Sequence, residues 1–284
     1  MEYKAMSNNE KLSILVNSCD KYKDVWDLLF ESFRINWSSC PYKIYINTET
    51  ENYTYKDMPI KVIHTAGKLG LKRNWGGRLK KALKNIDTPY VLNYLDDFVL
   101  SEPIQNEEIL EKIIDFMDEN PEVAVVYLGS FPKWCFIIEE ADNLKGFGIM
   151  PQCAAYKLST FPAIWRRNAL YRVTKDFETP WQWEMIGSYR ASINYYGKFY
   201  ACFENPDAEE MISKYFKFPW GGALWRGKWN PEALELAKEY GVNIDTTNRG
   251  IFEDKSEFLE SSTHNVTIID KLAHKWLLFR ELIL

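Results

Sequence analysis

The sequence predicts an α/β fold: a mostly parallel sheet flanked by helices, followed by an irregular half rich in loops and aromatic side chains. Three observations carry this expectation. Short apolar runs alternate with stretches of helical apolar spacing over residues 12–127, the pattern that builds βαβ units and a parallel sheet. One of those runs, Tyr90-Val91-Leu92-Asn93-Tyr94-Leu95, is apolar enough for a strand covered on both faces. The 284 residues are 46% hydrophobic and 26% charged, a globular composition long enough for one large α/β domain.

The elements follow in order. Residues 12–16 form an apolar run that ends in Asn17-Ser18-Cys19-Asp20, and Val25, Leu28, Leu29 and Phe33 then keep helical spacing. Strands are expected at 42–46 and 59–63. Residues 78–86 place Leu79, Ala82, Leu83 and Ile86 on one helical face. The strand 90–95, a helix at 107–117 and a strand at 123–127 continue the alternation. Beyond Gly129 the regularity fails, with two exceptions. Thr179-Pro180-Trp181-Gln182 carries a capping box with proline at the first helical position. Asn230-Pro231 repeats the signal, and Gly241 closes that helix.

Composition excludes several classes of function. A net charge of −5 and a pI near 5.5 argue against nucleic-acid binding through phosphate neutralisation. Five scattered cysteines without a C-x-x-C pair indicate neither a disulfide framework nor a structural zinc site. No apolar run approaches the ~20 residues needed to span a bilayer. The N-terminal MEYKAMSNNEK lacks the apolar core of a signal peptide. A cytoplasmic protein is therefore expected, peripheral at most at the inner face of the cell membrane. Residues 268–284, apolar with interspersed Lys271, Lys275 and Arg280, are the candidate for such contact, and packing against the body or a second subunit is the alternative.

Leu95-Asp96-Asp97-Phe98 is the sharpest chemical feature. Ligands of open α/β sheets bind at the carboxyl ends of strands, where this acid pair falls. Carboxylate oxygens without a nearby His or Cys suit Mg²⁺ or Mn²⁺ bridging to a diphosphate; the alternative is a turn cap. The order of these features, with the asparagine and aspartate after the first strand, Asn47-Thr48-Glu49 after the second and a basic helix before the acid pair, resembles nucleotide-sugar-dependent glycosyltransferases of the GT-A (Rossmann-like) fold. More narrowly it is similar to the family-2-like enzymes of bacterial capsule and lipopolysaccharide biosynthesis.

The resemblance implies one GT-A-like domain over residues 1–284. Residues 10–128 would bind the nucleotide sugar, and 129–284 would form the acceptor half and C-terminal helices. Asp96 and Asp97 would match the D-x-D-type motif that holds the divalent ion and donor diphosphate, with Asp97 the favoured metal ligand and no third acid at Val99. Asn17, Asp20, Tyr22, Thr48 and Glu49 would contact the nucleotide. Arg73 and Arg78, which bracket Trp75-Gly76-Gly77, would meet phosphate or base together with helix amides. An inverting enzyme of this fold needs a carboxylate base in the second half. Glu184 is the candidate, beside Trp181 and Trp183 as sugar-stacking rings, with Asp176 and Glu178 as rivals. The Trp165-Arg166-Arg167 cluster and the segment Gly221–Trp229 are candidates for closing over a diphosphate.

The expected activity is transfer of a hexosyl group, from a UDP-sugar by preference, to a hydroxyl of a glycan or lipid-linked saccharide. Two alternatives stand beside it. A sugar-phosphate nucleotidyltransferase normally carries a glycine-rich loop after the first strand, whereas this loop contains none. A non-catalytic carbohydrate-binding protein has no need of an acid pair.

Overall fold

The computed structural model describes residues 7–67, 74–130, 139–154, 156–203 and 212–252. A single turn, α1 (Asn8–Lys11), leads into β1 (Leu12–Asn17). There follow α2 (Lys23–Asn36), β2 (Lys43–Thr48), β3 (Ile60–His64), α3 (Trp75–Leu83), β4 (Tyr90–Leu95), α4 (Glu108–Glu119) and β5 (Val123–Ser130). These are the expected elements, each within a few residues of its sequence position. The second half supplies β6 (Glu139–Glu140), β7 (Phe147–Ile149), β8 (Ala163–Arg166), α5 (Arg167–Val173), α6 (Pro180–Ile193) and β9 (Lys198–Cys202). Last come β10 (Ile212–Ser213), the hairpin of β11 (Leu224–Trp225) and β12 (Lys228–Trp229), and α7 (Pro231–Glu239).

The main sheet runs β3-β2-β1-β4-β8-β5-β9-β7-β6, with β10 on the end of β5. Strands β1 to β4 are mutually parallel and β9 is parallel to β5, while β8 enters antiparallel between β4 and β5. Alternate residues of each strand feed opposite faces. Leu12, Ile14 and Val16 pack with Val25, Leu28 and Leu29 of α2 and with Ile109 and Ile113 of α4. Leu15 and Val91 face the other way, toward Leu79 of α3, Leu170 of α5 and Trp183 of α6. The result is three layers, helices over both faces of a mostly parallel sheet, the architecture the sequence predicts.

Both predicted helix starts are present as read. Thr179 accepts from the Gln182 amide at 3.3 Å and its own amide donates to the Gln182 side chain at 3.0 Å. The Asn230 side chain accepts from the Glu232 amide at 3.0 Å. α3 begins earlier than its apolar spacing suggested, because Trp75, Gly76 and Gly77 form its first turn rather than a loop. The antiparallel β8 is a further difference. Its Trp165-Arg166-Arg167 end reads as a cationic cluster in sequence. In the fold Trp165 is fully buried, Arg166 donates to the carbonyls of Val123 and Met117, and Arg167 donates to that of Leu83.

Candidate active site

The chain turns outward from β1 to β2 and β3, then returns to lay β4 on the other side of β1. That reversal makes the carboxyl ends of β1 and β4 a topological switch point, where a crevice opens in open α/β sheets. Asn17-Ser18 leaves β1 at this place and Asp96-Asp97 leaves β4.

Beneath the crevice lies a buried polar ladder. The Asn47 side chain donates to Asn17 Oδ1 at 3.1 Å, and Asn17 in turn donates to Asn93. Asn47 Oδ1 accepts from the Ser18 amide at 2.6 Å. Trp26 Nε1 donates to the Ser18 hydroxyl at 2.6 Å, and that hydroxyl donates to Asp96. Asn17 is therefore only 3% exposed, its side chain engaged in bracing three neighbouring strands. Thr48 is likewise buried, and its hydroxyl donates to the Glu51 carbonyl at 2.8 Å.

The acid pair itself is short of partners. Asp97 Oδ1 is buried without a hydrogen bond, and Asp96 is 6% exposed with one short bond from Ser18. Burial pushes both carboxyl groups up, Asp97 to about 7 and Asp96 well above its usual range, where the neighbouring Asp97 charge adds to the effect. An unmatched buried carboxylate is costly unless a cation or proton meets it. Among the described residues no cluster of three or more His, Cys, Asp or Glu stands ready for a metal. Two hard carboxylates with an unfilled oxygen fit an ion that takes its remaining ligands from a phosphate-bearing substrate.

Around the pair stand several residues that the sequence reading singled out and several that it missed. Tyr22 is half-buried, its phenol pushed up first by burial and then by the Asp96 and Asp97 charges. The Arg249 guanidinium lies 4.7 Å over its ring and pairs with both oxygens of Asp24 at 2.5 and 2.7 Å. Burial, with Asp96 and Glu49 nearby, holds the Cys19 thiol up at about 11, far from a nucleophilic thiolate. The Asp97 carbonyl accepts from the Ala223 amide at 2.6 Å. Gly222 (φ +82°) lies so close that a Cβ there would stand 3.1 Å from the Asp97 carbonyl oxygen and 3.2 Å from Oδ2.

A second group joins the loops after β1 and β2. The Asp20 amide donates to Glu49 at 2.5 Å, and the Glu49 amide donates to Asp20 at 2.8 Å. Arg78 pairs with Glu49 at 3.2 Å. Burial raises the Asp20 carboxyl, but the Thr50 hydroxyl and the amides of Glu49, Glu51 and Thr50 outweigh it and leave it lowered. Arg73 lies outside the described residues. The Gly76 and Gly77 amides do not face a crevice. They donate to the Glu178 and Asp176 carbonyls at 2.9 and 3.0 Å, and a Cβ on Gly76 would fall 2.0 Å from the Lys175 oxygen.

Glu184, in the second turn of α6, is bonded to Thr160. Its Oε1 accepts from the Thr160 amide at 2.7 Å and the Thr160 hydroxyl at 2.8 Å. The adjacent Phe161 ring packs 5.8 Å from Phe98, the residue after Asp97. Burial pushes the Glu184 carboxyl up despite the Thr160 bonds. Its rivals are occupied elsewhere: Glu178 is fully buried against Arg190 at 2.7 Å, and Asp176 pairs with Lys80 at 2.7 Å. Trp183 is fully buried and donates to Thr174, whereas Trp181 is 70% exposed.

No family model matches the chain, and no curated protein matches it. Among solved structures it is similar to the bifunctional IspDF of Campylobacter jejuni, at 18% identity over 72% of this chain and 52% of that one, with a TM-score of 0.38. Residues 1–349 of S. aureus TarS in complex with UDP-GlcNAc match at 14% identity over 96% of this chain and 79% of that one, with a TM-score of 0.40. A CMP:2-keto-3-deoxy-manno-octonic acid synthetase complexed with CTP matches at 12% identity over 70% and 93%, also with a TM-score of 0.40. The chain spans about half the length of the IspDF chain.

Proposed function

We propose that this chain is a glycosyltransferase that moves a hexosyl group from a nucleoside-diphosphate sugar, with UDP-sugars favoured, to a hydroxyl of a glycan or lipid-linked saccharide. The observation that carries the reading is the acid pair at the switch point, with Asp96 buried and Asp97 Oδ1 buried and lacking a partner. Asp97 and Asp96 would hold Mg²⁺ or Mn²⁺, and the ion would supply positive charge against that of a departing diphosphate. Ser18 orients Asp96, and the Ala223 amide fixes the backbone at Asp97. Tyr22, with the Asp20–Glu49–Arg78 group beside it, lines the nucleotide side.

Glu184 is the base. Thr160 fixes its carboxylate, and burial raises its proton affinity toward that of an effective general base. It takes the proton of the acceptor hydroxyl as that oxygen bonds to the anomeric carbon and the diphosphate leaves, with inversion.

The test uses two variants and a substrate panel. Asp97→Ala is expected to abolish the Mn²⁺-dependent rise in melting temperature that UDP gives the wild type while the protein stays folded. Glu184→Gln is expected to keep that rise and lose glycosyl transfer by about 10²-fold or more. Unchanged transfer in Glu184→Gln removes Glu184 from the mechanism. Turnover of CTP or UTP with a sugar phosphate, and not of nucleotide sugars, replaces the reading with nucleotidyl transfer.

A further inference from the structure

Six of the eleven tryptophans lie between residues 165 and 229, and the fold sorts them. Trp165, Trp183 and Trp229 are fully buried, and Trp181 is 70% exposed on the surface of α6. Trp220 and Trp225 are the half-buried ones. Their rings stack, with centroids 6.1 Å apart and planes inclined by 29°. Between them the chain turns through Gly221 and Gly222, at φ +76° and +82°. A Cβ on Gly221 would meet the Trp225 ring at 3.4 Å, and Gly222 lies directly against the Asp97 carboxylate. The stacked pair therefore begins two residues from the glycine that meets the unmatched acid.

The pair is also held rigidly. The Asn230 side chain donates to the carbonyls of both Trp220 and Gly222 at 2.9 Å, and its amide donates to the Ala223 carbonyl at 2.9 Å. Phe252 packs edge-on to Trp225 at 6.5 Å. One asparagine thus caps α7 and fixes the loop that bears the rings.

We infer that Trp220 and Trp225 form a platform for a pyranose ring, the acceptor sugar of the transfer proposed above, so the inference rests on that reading. A pyranose offers an apolar C–H face to an indole and hydroxyls at its edge to neighbouring carboxylates and backbone carbonyls, and an aromatic pair on a loop whose Gly222 touches the acid can meet both needs. The bonds from Asn230 fix the loop backbone that bears the rings, which lowers the ordering cost of binding.

The test is saturation-transfer NMR on the full chain, with UDP and diamagnetic Mg²⁺ present, using the methyl pyranosides of glucose, galactose and N-acetylglucosamine as probes. Transfer to the C–H protons of at least one glycoside is expected. Trp220→Leu and Trp225→Leu are each expected to weaken it by about two- to tenfold, the worth of one aromatic contact. Trp225→Phe retains most of it, and Trp181→Leu leaves it unchanged. The UDP·Mn²⁺ melting shift is expected to stay the same in all four variants. Transfer that survives both Leu variants, that is lost in Trp181→Leu, or that is seen for no glycoside overturns the platform while leaving the nucleotide reading intact. A ring-dependent glycoside signal without any UDP·Mn²⁺ shift leaves the platform standing and removes the transferase reading.

Discussion

Asp97 is a carboxylate that the fold buries without satisfying, and such a group weakens the protein that carries it. Its folded proton affinity lies above the ordinary value of 3.8, at about 7. A carboxyl group shifted upward stabilises the fold at low pH and forfeits that contribution as pH rises from 3.8 through about 7. Asp97→Asn is therefore expected to raise the melting temperature of the metal-free protein at pH 7.5 by about 2 °C or more, while losing the Mn²⁺-dependent response. An unchanged or lower melting temperature contradicts the assigned strain. Glu31 shows the opposite sign. Arg34 donates to it at 2.7 and 3.0 Å, Lys56 at 2.6 Å and Tyr55 at 2.8 Å. The Arg34 bonds, working against burial and helped by Lys56 and Tyr55, hold its carboxyl at about 2. This contribution is complete above pH 4.5 and is lost as pH falls toward 2. Acid titration of thermal stability in Glu31→Gln should be flatter than wild type across that window. In sequence Glu31 is one more polar position on an amphipathic helix, and Ser18 and Asn47 read as turn and strand residues. Arg34 pairs with Glu31 from three residues away, but Tyr55 and Lys56 reach Glu31, Asp96 reaches Ser18 and Asn17 reaches Asn47 from more than twenty residues away, which local spacing does not encode.

Elements differ in how openly the chain announces them. α2, β4 and α4 were legible because their apolar periods match their geometry, and α6 because Thr179, Pro180 and Gln182 form a cap from adjacent residues alone. β8 was not legible. Its four residues carry Trp165 and Arg166, and only the edges of β4 and β5 make a strand of them. The same holds for α3, whose Trp75-Gly76-Gly77 turn is helical because its amides find the Asp176 and Glu178 carbonyls. At the site the acid pair was legible from one strand end, whereas the 221–223 turn that presses on it and Arg249 beside Tyr22 come from far along the chain. Gly222→Ala tests that turn. A methyl group at φ +82°, 3.1 Å from the Asp97 carbonyl oxygen, is strained twice over. We expect a loss of about 1–3 kcal/mol in chemical denaturation, together with weaker UDP·Mn²⁺ binding. Full stability and binding in that variant would separate the turn from the acid pair.

Across the whole molecule, the two halves of the sequence are joined in one sheet, and a buried ion pair within the second half supports the loop that receives α3. Arg190 and Glu178 are both fully buried and lie 2.7 Å apart. Arg190 also donates to the Val173 carbonyl at 2.8 Å, and Glu178 accepts from the Lys175 amide at 2.8 Å. The pair shapes the 174–178 loop on which α3 begins. Arg190→Met strands the Glu178 charge and is expected to cost about 3–5 kcal/mol, a fall in melting temperature of roughly 10 °C. Restoration by the double variant Arg190→Met/Glu178→Met would show that the stranded charge, not lost packing, causes the fall.

The antiparallel β8 has one further consequence, for the order in which the protein can be made. When the ribosome has released residues 12–130, β4 and β5 exist as sequence but cannot touch, because the strand that lies between them is residues 163–166. Until those four residues emerge, one edge of β4 and both edges of β5 are unpaired, and such edges are the templates on which chains aggregate. The sheet that carries the acid pair is therefore closed late in synthesis, by a strand from the opposite half of the sequence.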